Sequence, residues 1–311
     1  MRSPDVPVAT ADRTVADYLG EVAGIVPVVV GPASAVAGEE AARLAGTELF
    51  IPSSSGPTFG LQAVAAMPRL RVIQSTTAGV EHLLDHVPRG VQLCSARGVF
   101  DDAVAEWVVA MVLAWARRLP EALAAQRARC WRAVPARSLR GATVLVVGHG
   151  AIGRSVESRL RPFGTTVRAV ARTARDGVAG REALPDLVPE ADVVVLTLPL
   201  TAETRGVVDE ALLALMRDGS LLVNPARGGL VDHAALVREL RRGRISAALD
   251  VTDPEPLPPD SELWDLPNVT ITPHSAAFTT CATESTLAFL AEQVARYAAG
   301  EELRNVVTGT Y

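Results

Sequence analysis

An α/β fold built on doubly wound parallel sheets is what this sequence predicts, and three observations predict it. Short apolar, β-branched runs alternate with helical patterns along most of the chain. One of those runs leads directly into a glycine-punctuated loop and then a helix. The 311 residues suffice for two domains, and with 49% of them apolar and only 21% charged the chain is neither disordered nor fibrous.

The elements follow in order. In the first part, Val28-Val29-Val30 precedes an Ala-rich stretch at 35–44, a run at 48–51 precedes a helical pattern at 61–66, and a run at 70–73 precedes another at 80–84. Residues 101–118 then read as one long helix. Asp101 and Asp102 suit its N-terminus, where carboxylates meet the positive end of the helix dipole; Arg117 and Arg118 suit its far end, and Pro120 follows. So apolar a helix can bridge domains, pack against a partner subunit or lie in a core. A second alternating series follows, with strand-like runs at 143–147, 166–170, 192–197, 220–223, 246–250 and 269–272 and helical patterns at 152–161, 209–216 and 232–242. Six such runs are what a doubly wound dinucleotide-binding sheet requires. Pro254, Pro256, Pro258 and Pro259 stiffen the loop after the fifth of them. A last helix, about 281–299, is expected to return to the first domain.

Charge and targeting signals narrow the class. All thirty basic residues are Arg, against thirty-five acidic ones, for a net charge of −5. A protein that coats nucleic acid or lies on a membrane surface would be basic. The longest apolar stretch, 107–116, is far short of the roughly 18–20 residues that span a bilayer. Met1-Arg2-Ser3-Pro4 leads into no apolar signal-peptide run. The expectation is a cytoplasmic protein that engages neither nucleic acid nor membrane. Cys94, Cys130 and Cys281 are odd in number and widely spaced, so they outline no disulfide framework and no metal site; buried, inert thiols are expected.

The segment Thr143-Val144-Leu145-Val146-Val147-Gly148-His149-Gly150-Ala151-Ile152-Gly153 is strand, then G-x-G-x-x-G, then helix. Gly148 permits the tight turn, Gly150 lets the backbone approach a pyrophosphate, and Gly153 lets the helix pack on the strand. The helix N-terminus then offers its exposed amides to the phosphates. His149 fills a variable position of this loop, where a backbone role is expected rather than chemistry. In an NAD-binding version an acid about 20 residues further on receives the adenosine ribose hydroxyls. Here Arg172 stands in that place, with Thr173 and Arg175 after it. Guanidinium groups match phosphate geometry, so these three residues read as a clamp for a 2′-phosphate and favour NADP(H) over NAD(H).

Three later segments each carry a polar side chain just beyond a strand. They are Val223-Asn224-Pro225-Ala226-Arg227-Gly228-Gly229, Leu249-Asp250-Val251-Thr252-Asp253-Pro254-Glu255-Pro256 and Ile271-Thr272-Pro273-His274-Ser275-Ala276. Ligands of a parallel sheet gather at the carboxyl ends of its strands, so Arg227, Glu255 and His274 can meet one small anion. Each also has a structural alternative: Arg227 can pair with Asp232 or Asp250, Glu255 can be solvated, and His274 can cap a strand. The other histidines, His82, His86 and His233, fall on surface helices.

With these motifs, in this order, the chain resembles the D-isomer-specific 2-hydroxyacid dehydrogenases over nearly its full length. The stretch Ser75-Thr76-Thr77-Ala78-Gly79-Val80-Glu81-His82 is similar to that family's substrate-carboxylate loop. The resemblance implies a Rossmann cofactor domain, residues 98–278, inserted into a flavodoxin-like substrate domain formed by residues 1–97 and 279–311. It implies His274 as general acid, since an imidazole of ordinary pKa, about 6.5, gives and retakes a proton near neutrality. It implies Glu255 as the partner that fixes the imidazole tautomer, and Arg227 as the group that binds the carboxylate and polarises the ketone. The amides of Ala78, Gly79 and Val80 would hold the rest of the carboxylate. Cofactor contacts would come from Gly148, Gly150, Ala151, Ile152, Gly153, Arg172, Thr173, Arg175, Leu198, Pro199, Ala226 and Asp250, with no metal. The family further implies a homodimer, with the 101–118 helix and Trp131 near its interface.

Departures from the family pattern point to a subtype. Glu255 stands where formate dehydrogenases of the superfamily carry Gln, and the length leaves no room for the extra regulatory domain of long phosphoglycerate dehydrogenases. Arg-dominated phosphate handling most resembles the NADPH-linked glyoxylate and hydroxypyruvate reductases. Two alternatives stand beside that expectation: oxidation of another small anion such as phosphite, and a non-catalytic dinucleotide-sensing scaffold. Substrate size would be set by the loop at 52–56 and by Val99 and Phe100.

Overall fold

A computed structural model describes residues 6–22, 24–30, 38–53 and 60–308. The chain forms two compact units, Met1–Phe100 with Thr280–Tyr311, and Asp101–Thr279. In the first, the strands β1 (Val6–Thr10), β2 (Ile25–Val29), β3 (Leu49–Ile51), β4 (Val72–Gln74) and β5 (Gln92–Cys94) make one parallel sheet in the order β2-β1-β3-β4-β5. This is the flavodoxin-like order. Helix α1 (Arg13–Leu19) follows β1, and the Asp12 carboxylate caps it by accepting from the amides of Thr14 and Val15. Helix α2 (Glu39–Leu44) keeps part of the predicted Ala-rich helix; residues 35–37 of that prediction lie outside the described residues. Because side chains alternate along a strand, Val8, Leu49, Ile51 and Val72 face one core, while Ala9, Phe50 and Ile73 face another. The patterns at 61–66 and 80–84 become single 3₁₀ stretches, Leu61–Ala66 and Glu81–His86.

The second unit opens with α3 (Asp101–Ala116) and α4 (Leu119–Arg127). The helix predicted to reach 118 thus stops at Ala116, with Arg118 left-handed at φ 54°, and Pro120 sits in the first turn of a new helix, where its missing N–H costs nothing. Then come β6 (Thr143–Val147), α5 (Ala151–Leu160), β7 (Thr166–Ala171), β8 (Ala179–Gly180), α6 (Leu184–Leu187), β9 (Val193–Leu196), α7 (Glu210–Leu215), β10 (Leu221–Asn224), α8 (His233–Arg241), β11 (Ser246–Leu249) and β12 (Val269–Ile271). All seven strands are parallel, in the order β12-β11-β10-β9-β6-β7-β8. The order reverses between β6 and β9, and that switch point is where open α/β sheets take ligands. One face, with Leu145, Val147, Leu196, Leu222 and Leu249, packs on Leu212, Leu213, Leu236 and Leu240. The other, with Val144, Val146, Val193, Val195 and Val223, packs on Val108 and Val112 of α3 and Val156 and Leu160 of α5. One face of α3 is therefore core.

The last helix, α9 (Thr280–Ala299), belongs to the first unit, where Leu290, Val294 and Tyr297 are buried and the Tyr297 hydroxyl donates to Glu48 Oε2 at 2.7 Å. Of the three cysteines expected to be buried, only Cys94 is; Cys130, in the irregular segment after α4, and Cys281, in the first turn of α9, are exposed. Among the described residues no helix is long and apolar enough to cross a membrane, and no cluster of side chains could ligate a metal.

Candidate active site

The glycine loop leaves β6 at the switch point. Gly148 has φ +103°, and a Cβ there would lie 2.6 Å from the carbonyl carbon and oxygen of Thr197, so only glycine fits. A Cβ on Gly153 would strike the Gly148 carbonyl, which is how closely α5 lies on the end of its strand. Gly150, by contrast, has open space where a Cβ would be, and it begins α5 with no side-chain cap. The amides of Ala151, Ile152 and Gly153 therefore start a helix that no side chain caps among the described residues, the arrangement that receives phosphate oxygens. Thr197 Oγ1 donates to the Gly148 carbonyl, tying the loop to the end of β9, where Leu198 and Pro199 follow. Observed open space and uncapped amides fit a dinucleotide pyrophosphate.

Beyond β7, the three clamp residues differ in their surroundings. Arg172 donates from Nη2 to Glu203 Oε1 at 3.1 Å, an exposed ion pair. Thr173 is exposed. Arg175 exchanges backbone hydrogen bonds with Val178 across a tight turn, and its Nη2 lies 2.7 Å from the His149 carbonyl oxygen and 3.2 Å from His149 Nδ1. His149 Nε2 in turn lies 2.5 Å from Glu157 Oε2. Beside the backbone role expected of it, His149 uses its side chain to link the glycine loop to α5 and to Arg175. Partial burial pushes the Glu157 carboxyl up, but donation from Arg161 and His149 outweighs this and holds it below the usual carboxylate range.

The three polar residues of the strand-end motifs stand at the carboxyl edge of the same sheet. Asn224, Leu249 and Ile271 are level in the β10–β11–β12 register, so the loops that follow them start side by side. Adjacent strands are about 4.8 Å apart, so three such loop origins span only about 10 Å. From them hang Arg227, Glu255 and His274. His274 Nδ1 lies 2.6 Å from Glu255 Oε1. The ring is half exposed, and among the described residues Nε2 has no protein partner. Arg227 donates from Nη1 to the Ala226 carbonyl at 2.7 Å.

Two buried side chains that the sequence did not single out as supports hold these loops in shape. Asn224 donates to the Arg227 carbonyl at 2.9 Å and accepts from the Ala226 amide at 3.1 Å, folding the turn that carries Arg227. Asp250 Oδ1 accepts from the Ser275 amide at 2.9 Å and the Thr272 hydroxyl at 2.5 Å, and Oδ2 from the Ala276 amide at 2.9 Å. The Asp250 carbonyl accepts from the His274 amide at 2.8 Å. This web holds His274 at φ 50°, a left-handed conformation that costs a non-glycine residue about 1 kcal/mol. Asp232, an alternative partner for Arg227, caps α8 by accepting from the Ala235 amide.

Ala78, Gly79 and Val80 belong to the first unit. They follow β4 in a turn that Ser75 and Thr77 brace: Thr77 Oγ1 donates to the Gly79 carbonyl at 2.7 Å and stands 2.9 Å from Ser75 Oγ. Of the 52–56 loop, residues 54–56 lie outside the described residues. His82 and His86 are exposed on their 3₁₀ stretch, and His233 is half buried at the start of α8.

A doubly wound sheet with a glycine cradle at its switch point and a His–Glu pair at its strand ends defines a dinucleotide-linked oxidoreductase. Residues 109–276 match the family model described as D-isomer specific 2-hydroxyacid dehydrogenase, NAD binding domain. D-3-phosphoglycerate dehydrogenase of Mycobacterium leprae is 36% identical over 264 residues, which cover 81% of this chain and 50% of that protein. The chain thus spans about half the length of that relative. Glyoxylate reductase/hydroxypyruvate reductase of Mus musculus is 36% identical over 240 residues, covering 72% of this chain and 73% of the relative. A crystal structure of a D-isomer specific 2-hydroxyacid dehydrogenase from Xanthobacter autotrophicus Py2, in complex with NADPH and MES, superposes with a TM-score of 0.82 at 30% identity over 98% of both chains. This chain belongs to the D-isomer specific 2-hydroxyacid dehydrogenase family, and its second unit is an NAD(P)-binding domain.

Proposed function

We propose that the protein reduces a small 2-oxo acid to the D-2-hydroxy acid with NADPH, in the manner of a glyoxylate or hydroxypyruvate reductase. The observation that carries this reading is the 2.6 Å contact between His274 Nδ1 and Glu255 Oε1 at the sheet edge that also bears Arg227. With Nδ1–H donated to the carboxylate, Nε2 is the atom left to give a proton to the carbonyl oxygen as the carbon becomes tetrahedral. Glu255 then stabilises the imidazolium before proton transfer and orients the ring throughout. Arg227 supplies the fixed positive charge for the substrate's carboxylate and for negative charge developing on the ketone oxygen. The amides of Ala78, Gly79 and Val80 are assigned to the same carboxylate on the sequence match of their loop.

A bound reduced nicotinamide supplies the hydride. We assign its pyrophosphate to Gly148, Gly150, Ala151, Ile152 and Gly153, its 2′-phosphate to Arg172, Thr173 and Arg175, and its remaining contacts to Leu198, Pro199, Ala226 and Asp250. The absence of an acid at position 172 supports NADP(H) over NAD(H). Reduced phosphorylated dinucleotide is an intracellular reagent, which supports a cytoplasmic setting. A homodimer is supported by α3, whose Trp107, Met111 and Trp115 are only partly buried, and by the exposed Leu119, Leu123 and Trp131 beyond it. Steady-state rates with glyoxylate, hydroxypyruvate and bulkier 2-oxo acids, each with NADPH and NADH, test the reading. NADPH-linked turnover that falls at least a hundredfold in His274→Asn is expected; nucleotide binding without turnover on any 2-oxo acid would refute it.

A further inference from the structure

The geometry points to His149 as a positioning residue for cofactor choice: its neutral ring holds the Arg175 guanidinium beside the glycine loop, ready for a 2′-phosphate. The inference rests on the NADP(H) assignment above and adds the group that makes Arg175, rather than Arg172, its principal anchor.

Hydrogen-bond bookkeeping fixes the ring's state. A guanidinium has five N–H donors and no acceptor, so the 3.2 Å contact from Arg175 Nη2 requires His149 Nδ1 to accept. The proton of the neutral ring is then on Nε2, where it donates to Glu157 Oε2 at 2.5 Å. Glu157 is itself fixed by Arg161, one turn further along α5. The chain Arg161–Glu157–His149–Arg175 thus runs with every donor facing an acceptor, and it ends on the guanidinium. The other cation near the ring is Arg154, whose Nη1 lies 3.5 Å from the His149 carbonyl.

The end of that chain differs from Arg172 in its partners. Arg172 faces the Glu203 carboxylate, which an incoming phosphate would have to replace. The Arg175 guanidinium contacts the ring nitrogen and the carbonyl oxygen of His149, while its backbone pairs with Val178, and among the described residues it pairs with no carboxylate. A guanidinium held by neutral acceptors keeps its full charge for a dianionic ligand and loses little side-chain freedom when it binds. Its anchor, His149, lies between Gly148 and Gly150, so the same residue that sits in the phosphate cradle places the cation beside it.

Three substitutions separate the two ring nitrogens. His149→Asn places a side-chain oxygen where Nδ1 stands and keeps the acceptor for Arg175. His149→Gln places a nitrogen donor where Nε2 stands and keeps the contact with Glu157 while losing the acceptor. His149→Ala removes both. Equilibrium titrations of NADPH and NADH against the full chain, followed by nicotinamide fluorescence, give the readout, with Tm of each variant measured alongside. His149→Asn is expected to stay within about twofold of wild type for NADPH, and His149→Gln and His149→Ala to weaken NADPH by about tenfold, the worth of one hydrogen bond to a charged group. NADH affinity should stay unchanged in all three. Equal losses in the Asn and Ala variants, or NADH weakening in step with NADPH, would overturn the proposal, because either result assigns His149 to the loop's general shape. If wild type does not prefer NADPH, the cofactor assignment falls and this inference with it. If wild type does prefer NADPH and Arg175→Ala abolishes the preference while the His149 series is flat, only the role of His149 is refuted.

Discussion

Asp250→Ala should unfold the support beneath His274, and its cost can be worked from the contacts. The carboxylate is 2% exposed and receives three donors, the Ser275 and Ala276 amides and the Thr272 hydroxyl. Each buried donor left without an acceptor costs about 1–3 kcal/mol. Truncation also removes the cost of burying a charge, and water can enter the space, so the net loss is about 3–5 kcal/mol, as for other buried charged groups deprived of one side of their network. For a unit of this size 1 kcal/mol moves Tm by about 2–4 °C, so a fall of about 10 °C is expected. Asp250→Asn keeps one acceptor oxygen and should lose about half as much. The assays are thermal unfolding without cofactor and hydrogen exchange at the Ser275 and Ala276 amides, with kcat measured on the same samples. Because His274 is held left-handed by this turn, kcat should fall more than Tm alone explains. A Tm within about 2 °C of wild type, with unchanged amide protection, would refute the reasoning.

Further outcomes follow from other parts of the structure. Gly148→Ala should abolish dinucleotide binding and destabilise by about 3 kcal/mol, since its φ of +103° and the Thr197 carbonyl leave no place for a methyl group; nucleotide fluorescence titration and Tm check this. Burial pushes the Cys94 thiol up to about 11, so a thiol reagent at pH 8 should label Cys130 and Cys281 in the native protein and Cys94 only after unfolding. Keeping that thiol neutral contributes stability that is whole below the unfolded value of about 8.5 and is lost as pH rises from there towards 11, a loss absent in Cys94→Ala. The Glu157 carboxyl lies on the other side of the balance. Its folded value is lowered, so its contribution is whole above the unfolded value of about 4.3 and is lost as pH falls below it; Glu157→Gln should flatten that part of the acid unfolding curve. Arg172→Asp should shift preference from NADPH to NADH, measured as the ratio of kcat/KM values; an unchanged ratio would show that the guanidinium does not face the 2′-phosphate.

Much of this was legible in the sequence because it is written in local patterns. The runs at 144–147 and 193–196 are buried on both faces, and such strands read as unbroken apolar stretches. The glycine triplet and the three strand-end motifs needed no tertiary knowledge. What escaped notice had a physical reason in each case. Strand β8 is two residues long and pairs only Ala179 and Gly180, too little for a periodic signal. Strand β1 contains Pro7 and β5 is three residues long, so neither stood out from its surroundings. Arg118 turning left-handed broke a helix that apolar content alone carried onward, and Pro120 then marked a start rather than an end. The supporting role of Asp250 depends on amides 25 and 26 residues away, and that of His149 on partners 8 and 26 residues away. No one-dimensional pattern encodes such meetings.

The distribution of these groups over the chain bears on how enzymes of this kind diversify. The groups proposed to handle the proton and their supports, from Asn224 through Asp250 to the His274 turn, are anchored in one compact unit by bonds internal to that unit. The braced turn at 75–80 is built wholly within the other, from its own hydroxyls and carbonyls. Substitutions that reshape the second can accumulate without loosening the first, so a lineage is free to vary the turn proposed to hold the acid while the proposed acid–base groups keep their supports.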